Sequence, residues 1–199
     1  TFPPPYRYCR RARWNGSAVA TTTSGDVAAL IAEPIQGVGG FAIPPDGFFG
    51  PVEKVCREHD ILFISDEVQT GWGRTGDHFW GYQAHGITPD LMTFAKGIGN
   101  GLTLAGVVGR AEVMDAVPAN SISTFGGNPL SCAGALANLR YLLDHGLQAN
   151  AAEQGARFLA GLAPLAERFP AIGEIRGRGL MIGLELVAAD GFTPDADAA

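Results

Sequence analysis

Cysteine is scarce in this sequence and no long apolar run occurs, and both absences narrow the class of protein. The 199 residues include only Cys9, Cys56 and Cys132, and no two of them form a CxxC pair. We therefore expect neither a disulfide framework nor a zinc site built on cysteine pairs. The sequence instead predicts a reduced, intracellular protein. No apolar run reaches the roughly 18 residues of a membrane-spanning helix. With no signal-peptide hydrophobic region, the sequence predicts a cytoplasmic location.

Charged residues are also few, at 17%, and acidic ones predominate, giving a formal net charge of −6. This balance argues against nucleic acid or an anionic membrane as the main partner. The 46% hydrophobic content is enough to bury a core. A local exception is the basic cluster of Arg7, Arg10, Arg11 and Arg13. We interpret it as part of an irregular segment, residues 1–24, which shows no helical or strand period.

Beyond this segment, short apolar runs alternate with helical patterns, which is typical of a βαβ sheet. The predicted strands are 27–32, 61–65, 91–95 and 104–108, and two antiparallel strands follow at 172–175 and 180–186. A helix is predicted from Pro51 to about Asp60, a second after the cap Asn128, ending at His145, and a third over 147–167. The sequence therefore predicts an α/β fold with a mostly parallel sheet, followed by a small α+β unit.

Three of the predicted strands are followed by ionisable residues, Glu33, Asp66 and Lys96. Open α/β sheets place their ligands at the carboxyl ends of the strands, so these side chains mark a candidate site. At a strand end we expect the Lys96 amine to be partly desolvated, which favours its uncharged form and attack on a carbonyl. The alternative is a lysine that extends from the strand end to water.

Asp66 follows an apolar strand, and an aspartate there can hold a protonated ring nitrogen by a charge-assisted hydrogen bond. One alternative is an acid that caps the next turn. Another is a P-loop ATPase fragment, in which Asp66 and Glu67 form a Walker B-like pair. That reading requires a G-x-x-x-x-G-K-[ST] loop, which the sequence does not contain.

Hydroxyls and glycine amides come together in the sequence Ser-Thr-Phe-Gly-Gly-Asn-Pro at 123–129. They precede a predicted helix N-terminus, which is a natural site for an anion. An ordinary capped turn explains the same residues.

Taken together, the segments resemble the class III, or omega, aminotransferases, which are pyridoxal phosphate enzymes of fold type I. The resemblance covers about Asp26 to Val187, and within the family it is closest to the alanine–glyoxylate and 4-aminobutyrate aminotransferase branch. Five motifs carry it in the family's order: EPIQG at 33–37, DEVQTGWGRTG at 66–76, PDLMTFAKG at 89–97, STFGGNP at 123–129 and RGRGL at 176–180.

The resemblance implies a cofactor site for pyridoxal 5'-phosphate and a role for each matched residue. Lys96 would form the Schiff base with the cofactor, and Asp66 would pair with its pyridinium nitrogen. Val68 would pack on one face of the ring, and Gln69 would approach the phenolic oxygen. No metal ion is implied.

The same resemblance implies a homodimer, a contact to the partner subunit's cofactor and a carboxylate on the substrate side of the site. Thr124, with Ser123 beside it, would reach the cofactor phosphate of the partner subunit. Glu33 would be the carboxylate that pairs with a substrate-binding arginine. The implied reaction transfers an amino group from an amino acid or omega-amine donor to a 2-oxo acid or glyoxylate.

The family's chains are longer than this one, and the expected domain limits reflect that. Residues 25–146 would be part of the large, cofactor-binding domain, and residues 147–199 part of the C-terminal small domain. The glycine- and serine-containing loop that grips the cofactor phosphate, and the arginine that would meet Glu33, are not found in this sequence. A non-catalytic fragment without the phosphate-binding half is therefore the alternative interpretation.

Overall fold

The fold is seen in a computed structural model that describes residues 26–118 and 122–199. The predicted irregular segment 1–24 and its arginine cluster lie outside the described residues. The helices and strands in chain order are β1 (Ala29–Ala32), α1 (Phe49–Glu58), β2 (Leu62–Asp66), β3 (Leu91–Phe94), β4 (Gly106–Gly109), α2 (Ala111–Met114), α3 (Pro129–Asp144), α4 (Leu147–Arg168), β5 (Ile172–Arg178) and β6 (Met181–Leu186).

A four-stranded sheet in the order β1-β2-β3-β4 forms the centre of the first part of the chain. β1, β2 and β3 are parallel neighbours, and β4 pairs with β3 in the antiparallel sense. This confirms the predicted α/β fold with a mostly parallel sheet. Since β1 to β3 are parallel, their carboxyl ends lie at one end of the sheet, where Asp66 closes β2 and Glu33 and Lys96 come just after β1 and β3.

The main core lies between α1 and one face of this sheet. Phe49, Val52 and Cys56 of α1 are buried against Phe63 of β2, which is itself 2% exposed. Full burial of one such aromatic side chain stabilises the fold by about 1.5–3 kcal/mol. Side chains alternate between the two faces of a strand, so Asp66 does not share the face of Phe63. On that second face Ile31 of β1 remains 59% exposed.

Two long helices follow, and both begin where the sequence predicts. The Asn128 side chain caps α3 by accepting a hydrogen bond of 3.0 Å from the Ser131 amide, with Pro129 in the first turn. The chain then turns into α4 at Gly146, which has a φ of 60°. The predicted boundary between two domains falls at this turn and stays a prediction.

The last two strands form the predicted antiparallel hairpin, which packs on α4. Its turn comes so close to the helix that a Cβ on Gly155 would lie 2.0 Å from the carbonyl oxygen of Gly179. Only glycine fits at position 155 without moving the backbone. Within the described residues, no helix is long and apolar enough to cross a membrane.

Several boundaries differ from the prediction. β1 begins at Ala29 rather than at 27, β4 extends to Gly109, and the short helix α2 was not predicted. β3 ends at Phe94 rather than at 95, because the last pair of its ladder is Phe94 with Gly106 and a 3-10 turn begins at Lys96. Lys96 begins the turn that follows, as its place before the glycine-rich stretch indicates.

Candidate active site

Asp66 is the last residue of β2 and Lys96 lies two residues beyond the parallel neighbour β3, so both come to the same end of the sheet. Asp66 pairs with Thr93 in the register of β2 and β3, and the next amide, of Glu67, donates to the Thr93 carbonyl at 2.9 Å. Lys96 lies three residues beyond Thr93. The adjacency predicted from the strand pattern is therefore present in the structure.

Lys96 occupies a strained and firmly held turn. Its φ of 43° lies in the left-handed region, and it opens a 3-10 helix over Lys96–Ile98. A non-glycine residue there costs roughly 1–3 kcal/mol. The Asn138 side chain of α3 offsets this strain by donating to the carbonyl oxygens of Gly97 and Ile98 at 2.7 and 3.3 Å. Strain that is held in this way is typical of functional positions.

The Lys96 side chain is exposed, so the expected partial desolvation of its amine is wrong for the described chain. The reason is local geometry. Lys96 lies two residues beyond the end of β3, in the 3-10 turn, and is not part of the core cluster on α1. An exposed amine at a rigid turn remains accessible to a carbonyl group.

The Asp66 carboxylate is half-buried and caps the turn that follows it. Its Oδ1 accepts a hydrogen bond of 3.1 Å from the Val68 amide. The alternative reading of Asp66 as an acid that caps the next turn is therefore confirmed, and its pairing with a ring nitrogen stays a prediction. The same bond fixes the carboxylate at the edge of the sheet beside Thr93.

Glu33 and Gln69 meet at a glycine. The Gly37 amide donates to Glu33 Oε2 at 2.9 Å, and a Cβ on Gly37 would lie 2.0 Å from Gln69 Nε2. The turn after β1 thus packs directly on the Gln69 side chain. A larger side chain at position 37 would have to displace the Gln69 amide group.

Ser123 and Thr124 are exposed, and no hydrogen bond in the described chain links either of them to Lys96 or Asp66. The Ser123 hydroxyl accepts from the Gly126 amide at 3.1 Å, so one of the amides expected to bind an anion is already used. The structure therefore brings Asp66 and Lys96 together and Glu33 and Gln69 together. Among the described residues, no hydrogen bond joins the hydroxyl pair to either of them.

Three residues that support the site went unrecognised in the sequence. Asn138 lies 42 residues from Lys96, and nothing in the sequence indicates their contact. Trp72 packs against Gly97, where a Cβ would come within 3.1 Å of its ring.

Glu67 is fully buried, and both of its carboxylate oxygens accept hydrogen bonds from the protein. A charged residue directly after a buried strand was the available signal for Glu67. Its engaged oxygens do not fit a Walker B glutamate, which must face water or a metal-bound phosphate.

Two arginines of the RGRGL motif connect the hairpin to the loops at the sheet edge. Arg176 donates to the Gly40 carbonyl at 2.7 Å, and Arg178 donates to Asp46 at 2.7 Å. Arg178 also bonds to Asp77. Burial raises the pKa of Asp77, but the hydrogen bond and charge of Arg178 outweigh it, so the pKa lies below its ordinary value.

Nearby, His85 is buried against the edge of the Phe49 ring, at 4.9 Å between centroids. Burial is the largest cause that lowers the pKa of His85, and the positive charge of Arg178 adds to it. The Asp46 carboxylate and the Pro34 carbonyl oppose this shift without reversing it.

Comparison with known proteins decides the family of this fold. The family model described as aminotransferase class-III matches residues 9–196. The chain belongs to the class III aminotransferase family. It is 46% identical over 173 residues to 4-aminobutyrate aminotransferase GabT of Escherichia coli K12, a match over 86% of this chain and 40% of that protein. It is 42% identical over 171 residues to the mitochondrial alanine–glyoxylate aminotransferase 2 of Homo sapiens, over 85% and 33% of the two chains.

Solved structures agree with this assignment. A Bacillus anthracis aminotransferase superposes with a TM-score of 0.87 at 33% identity, over 99% of this chain and 48% of that one. The class III aminotransferase chain therefore spans less than half the length of the relatives it matches. The predicted fold type I is confirmed, and the ATPase interpretation of Asp66 and Glu67 is wrong.

Class III aminotransferases are pyridoxal phosphate enzymes. The donor set at the sheet edge fits two ends of this cofactor. An accessible primary amine, Lys96, suits its aldehyde, and the carboxylate of Asp66 on the neighbouring strand suits its ring nitrogen.

Proposed function

We propose that this chain provides the amine and the ring-nitrogen partner of a pyridoxal phosphate site in a transaminase. In the whole protein the site would move an amino group from an amino acid or omega-amine donor to a 2-oxo acid or glyoxylate. The observation that carries the proposal is the rigid turn that holds Lys96 beside the strand end of Asp66.

Four residues would hold the cofactor. Lys96 would bind its aldehyde carbon, and Asp66 its ring nitrogen. Val68, two residues beyond Asp66, would cover one face of the ring, and Gln69 would approach the phenolic oxygen. When bound, the cofactor supplies an electron sink that stabilises negative charge at the substrate carbon.

The work of the protein side chains follows from their positions. Asp66 keeps the proton on the ring nitrogen, because an ionised carboxylate favours the charged form of its partner. The free Lys96 amine would act as a general base toward the proton on the substrate carbon and then as a general acid toward the cofactor carbon bonded to the same nitrogen. The fixed turn at 96–98 limits the positions that the amine can sample, which favours transfer between two nearby atoms.

Substrate and subunit contacts belong to the same proposal. Glu33, tied to the Gly37 amide, would pair with a substrate-binding arginine. Thr124 and Ser123 are exposed, which leaves their hydroxyls available for the cofactor phosphate of a partner subunit in a homodimer. A cytoplasmic location, with no nucleic acid or membrane partner, remains part of the prediction.

The second candidate is a non-catalytic fragment of such an enzyme. Apolar side chains remain open on the sheet: Ile31 is 59% exposed, and Val107 and Val108 on the edge strand β4 are 48% and 56% exposed. Exposed apolar strands at a sheet edge are an aggregation hazard, and this favours a chain that depends on further protein for stability.

Borohydride reduction after addition of pyridoxal 5'-phosphate tests the proposal. The sequence has two lysines, Lys96 and Lys54, and Lys54 is an internal control because it is 77% exposed on α1. We expect mass spectrometry to find the cofactor on Lys96 in clear excess over Lys54, and Lys96→Ala to abolish it. Equal labelling of the two lysines would refute a specific site and favour the fragment alternative.

A further inference from the structure

Glu67 is the most deeply buried charged side chain near the candidate site, with no exposed surface. Its Oε1 accepts from the Ser65 hydroxyl at 3.0 Å and the Tyr82 amide at 2.8 Å. Its Oε2 accepts from the Thr70 hydroxyl at 2.5 Å and the Gly81 amide at 2.8 Å. A buried carboxylate is stable only when it is paired or fully hydrogen-bonded, and these four contacts meet that need.

These contacts close a loop. Glu67 opens the segment 67–82, and two of its four donors are the backbone amides of Gly81 and Tyr82, at the far end of that segment. A third donor, Thr70, lies in the first turn of the loop, and the Glu67 carbonyl also accepts from the Gly71 amide at 3.1 Å. One residue thus fixes the beginning and the end of a 16-residue segment.

The closed segment carries the residues proposed to touch the cofactor. Val68 and Gln69 follow Glu67 directly, and Gln69 packs on Gly37. Further along, Trp72 stacks edge-on against Phe94 at 5.3 Å and contacts Gly97, the neighbour of Lys96. The loop that Glu67 closes therefore contacts the Lys96 turn and the Glu33 turn.

We propose that Glu67 is a positioning residue of the site, and that its carboxylate holds the loop 67–82 so that Gln69 and Trp72 keep their places beside the Lys96 turn. The proposal rests on the proposed function for its effect on the cofactor. The closure of the loop can be tested without the cofactor.

Replacement by glutamine is a sharp test because each oxygen of Glu67 accepts from one backbone amide. In Glu67→Gln, either orientation of the new amide places its NH₂ group against the amide hydrogen of Gly81 or Tyr82. One donor must then lose its acceptor, whichever way the side chain turns. The size of the side chain does not change.

Glu53 offers a matched control. It also accepts from a backbone amide, that of Thr88 at 2.9 Å, and from Arg57 at 2.8 Å, but it lies on α1, and among the described residues no hydrogen bond joins it to the loop. Glu53→Gln therefore removes a comparable carboxylate without touching 67–82.

Hydrogen–deuterium exchange of the full chain without cofactor provides the first measurement. We expect Glu67→Gln to speed exchange of the amides in 70–82 by about tenfold, with little change elsewhere, and Glu53→Gln to leave that segment protected. Equal protection of 70–82 in Glu67→Gln and the unaltered chain would overturn the proposal. If Glu67→Gln fails to fold, Thr70→Val removes a single contact and should speed exchange in the same segment by a smaller factor.

Titration with pyridoxal 5'-phosphate provides the second measurement. We expect Glu67→Gln to shift the pH midpoint of the bound chromophore and to weaken binding by about tenfold, whereas loss of folded protein alone would lower its amount without moving the midpoint. In a chain that already carries Gln69→Ala and Trp72→Phe, adding Glu67→Gln should change cofactor affinity and the pH midpoint much less than it does in the unaltered chain. Full additivity would overturn the positioning role.

The two measurements separate the two proposals. If the unaltered chain takes no cofactor at Lys96, the proposed function fails, and the exchange of 70–82 still decides whether Glu67 closes the loop. If the cofactor binds but Glu67→Gln leaves the chromophore unchanged, the proposed function stands and the positioning role is refuted.

Discussion

Asn138→Ala should loosen the Lys96 turn, and the resulting loss in the free energy of unfolding can be estimated from the contacts of Asn138. Asn138 Nδ2 donates to the Gly97 carbonyl at 2.7 Å and to the Ile98 carbonyl at 3.3 Å. Loss of the donor leaves a half-buried carbonyl unpaired, at a cost of about 1–2 kcal/mol. Alanine is the better helix former within α3 and returns about 0.5 kcal/mol. The expected net loss in the free energy of unfolding is about 0.5–1.5 kcal/mol.

Urea unfolding of the full chain measures this loss, and Asn150→Ala is the matched control. Asn150 is exposed on α4, so its replacement changes helix propensity without removing a contact to the turn. The Asn150→Ala variant should have a free energy of unfolding equal to, or slightly higher than, that of the unaltered chain.

The same variants test the site. A turn weakened by about 1 kcal/mol should take up pyridoxal 5'-phosphate at Lys96 about fivefold less readily in Asn138→Ala than in Asn150→Ala. If the two variants unfold at the same urea concentration and label Lys96 equally, the argument that Asn138 holds the turn is refuted.

Three further predictions concern the hairpin, the core and the cofactor partner. Gly155→Ala should destabilise the fold by roughly 1–3 kcal/mol, because its Cβ would meet the Gly179 carbonyl. Gly161→Ala on the same helix has open space around the new Cβ and should stabilise the fold by up to about 1 kcal/mol. Urea midpoints of the two variants that move in the same direction would contradict this prediction. Because the pKa of His85 is lowered on folding, the unfolded chain binds the proton first, so stability should fall as the pH drops below about 6.5. Urea unfolding at several pH values should show this fall in stability for the unaltered chain but not for His85→Gln. If the variant shows the same fall, the pH dependence comes from titratable groups other than His85. In the whole protein, Asp66→Asn should keep the borohydride adduct on Lys96 but lose most transaminase turnover, and undiminished turnover would remove Asp66 from the mechanism.

Local patterns were sufficient for most of the elements. The cap Asn128 and the following Pro129 placed the start of α3, and apolar runs of four to six residues placed β1 to β3. The antiparallel hairpin followed from alternation alone. These signals succeed because capping, periodicity and strand propensity act between residues that are close in the chain.

The candidate site was partly predictable for the same reason. Charged residues after buried strands indicated Asp66 and Lys96, since parallel strands bring their carboxyl ends to one edge. The exposure of Lys96 was not predictable, because it depends on the turn from Ala95 to Ile98 and on what packs around it. The expectation of a desolvated amine failed at that step.

What the sequence determined by itself was the order of the strands and long helices, the parallel sheet that this alternation implies and the pair of ionisable residues at its carboxyl end, because caps, periodicity and strand ends are read from short stretches of chain. Tertiary structure alone decided that Asn138 holds the Lys96 turn, that Gln69 packs on Gly37, and that the Glu67 carboxylate closes the loop to Tyr82. These contacts join residues 15 to 41 positions apart. Their energies depend on distance, burial and hydrogen-bond direction in the folded chain, and a linear sequence contains none of these.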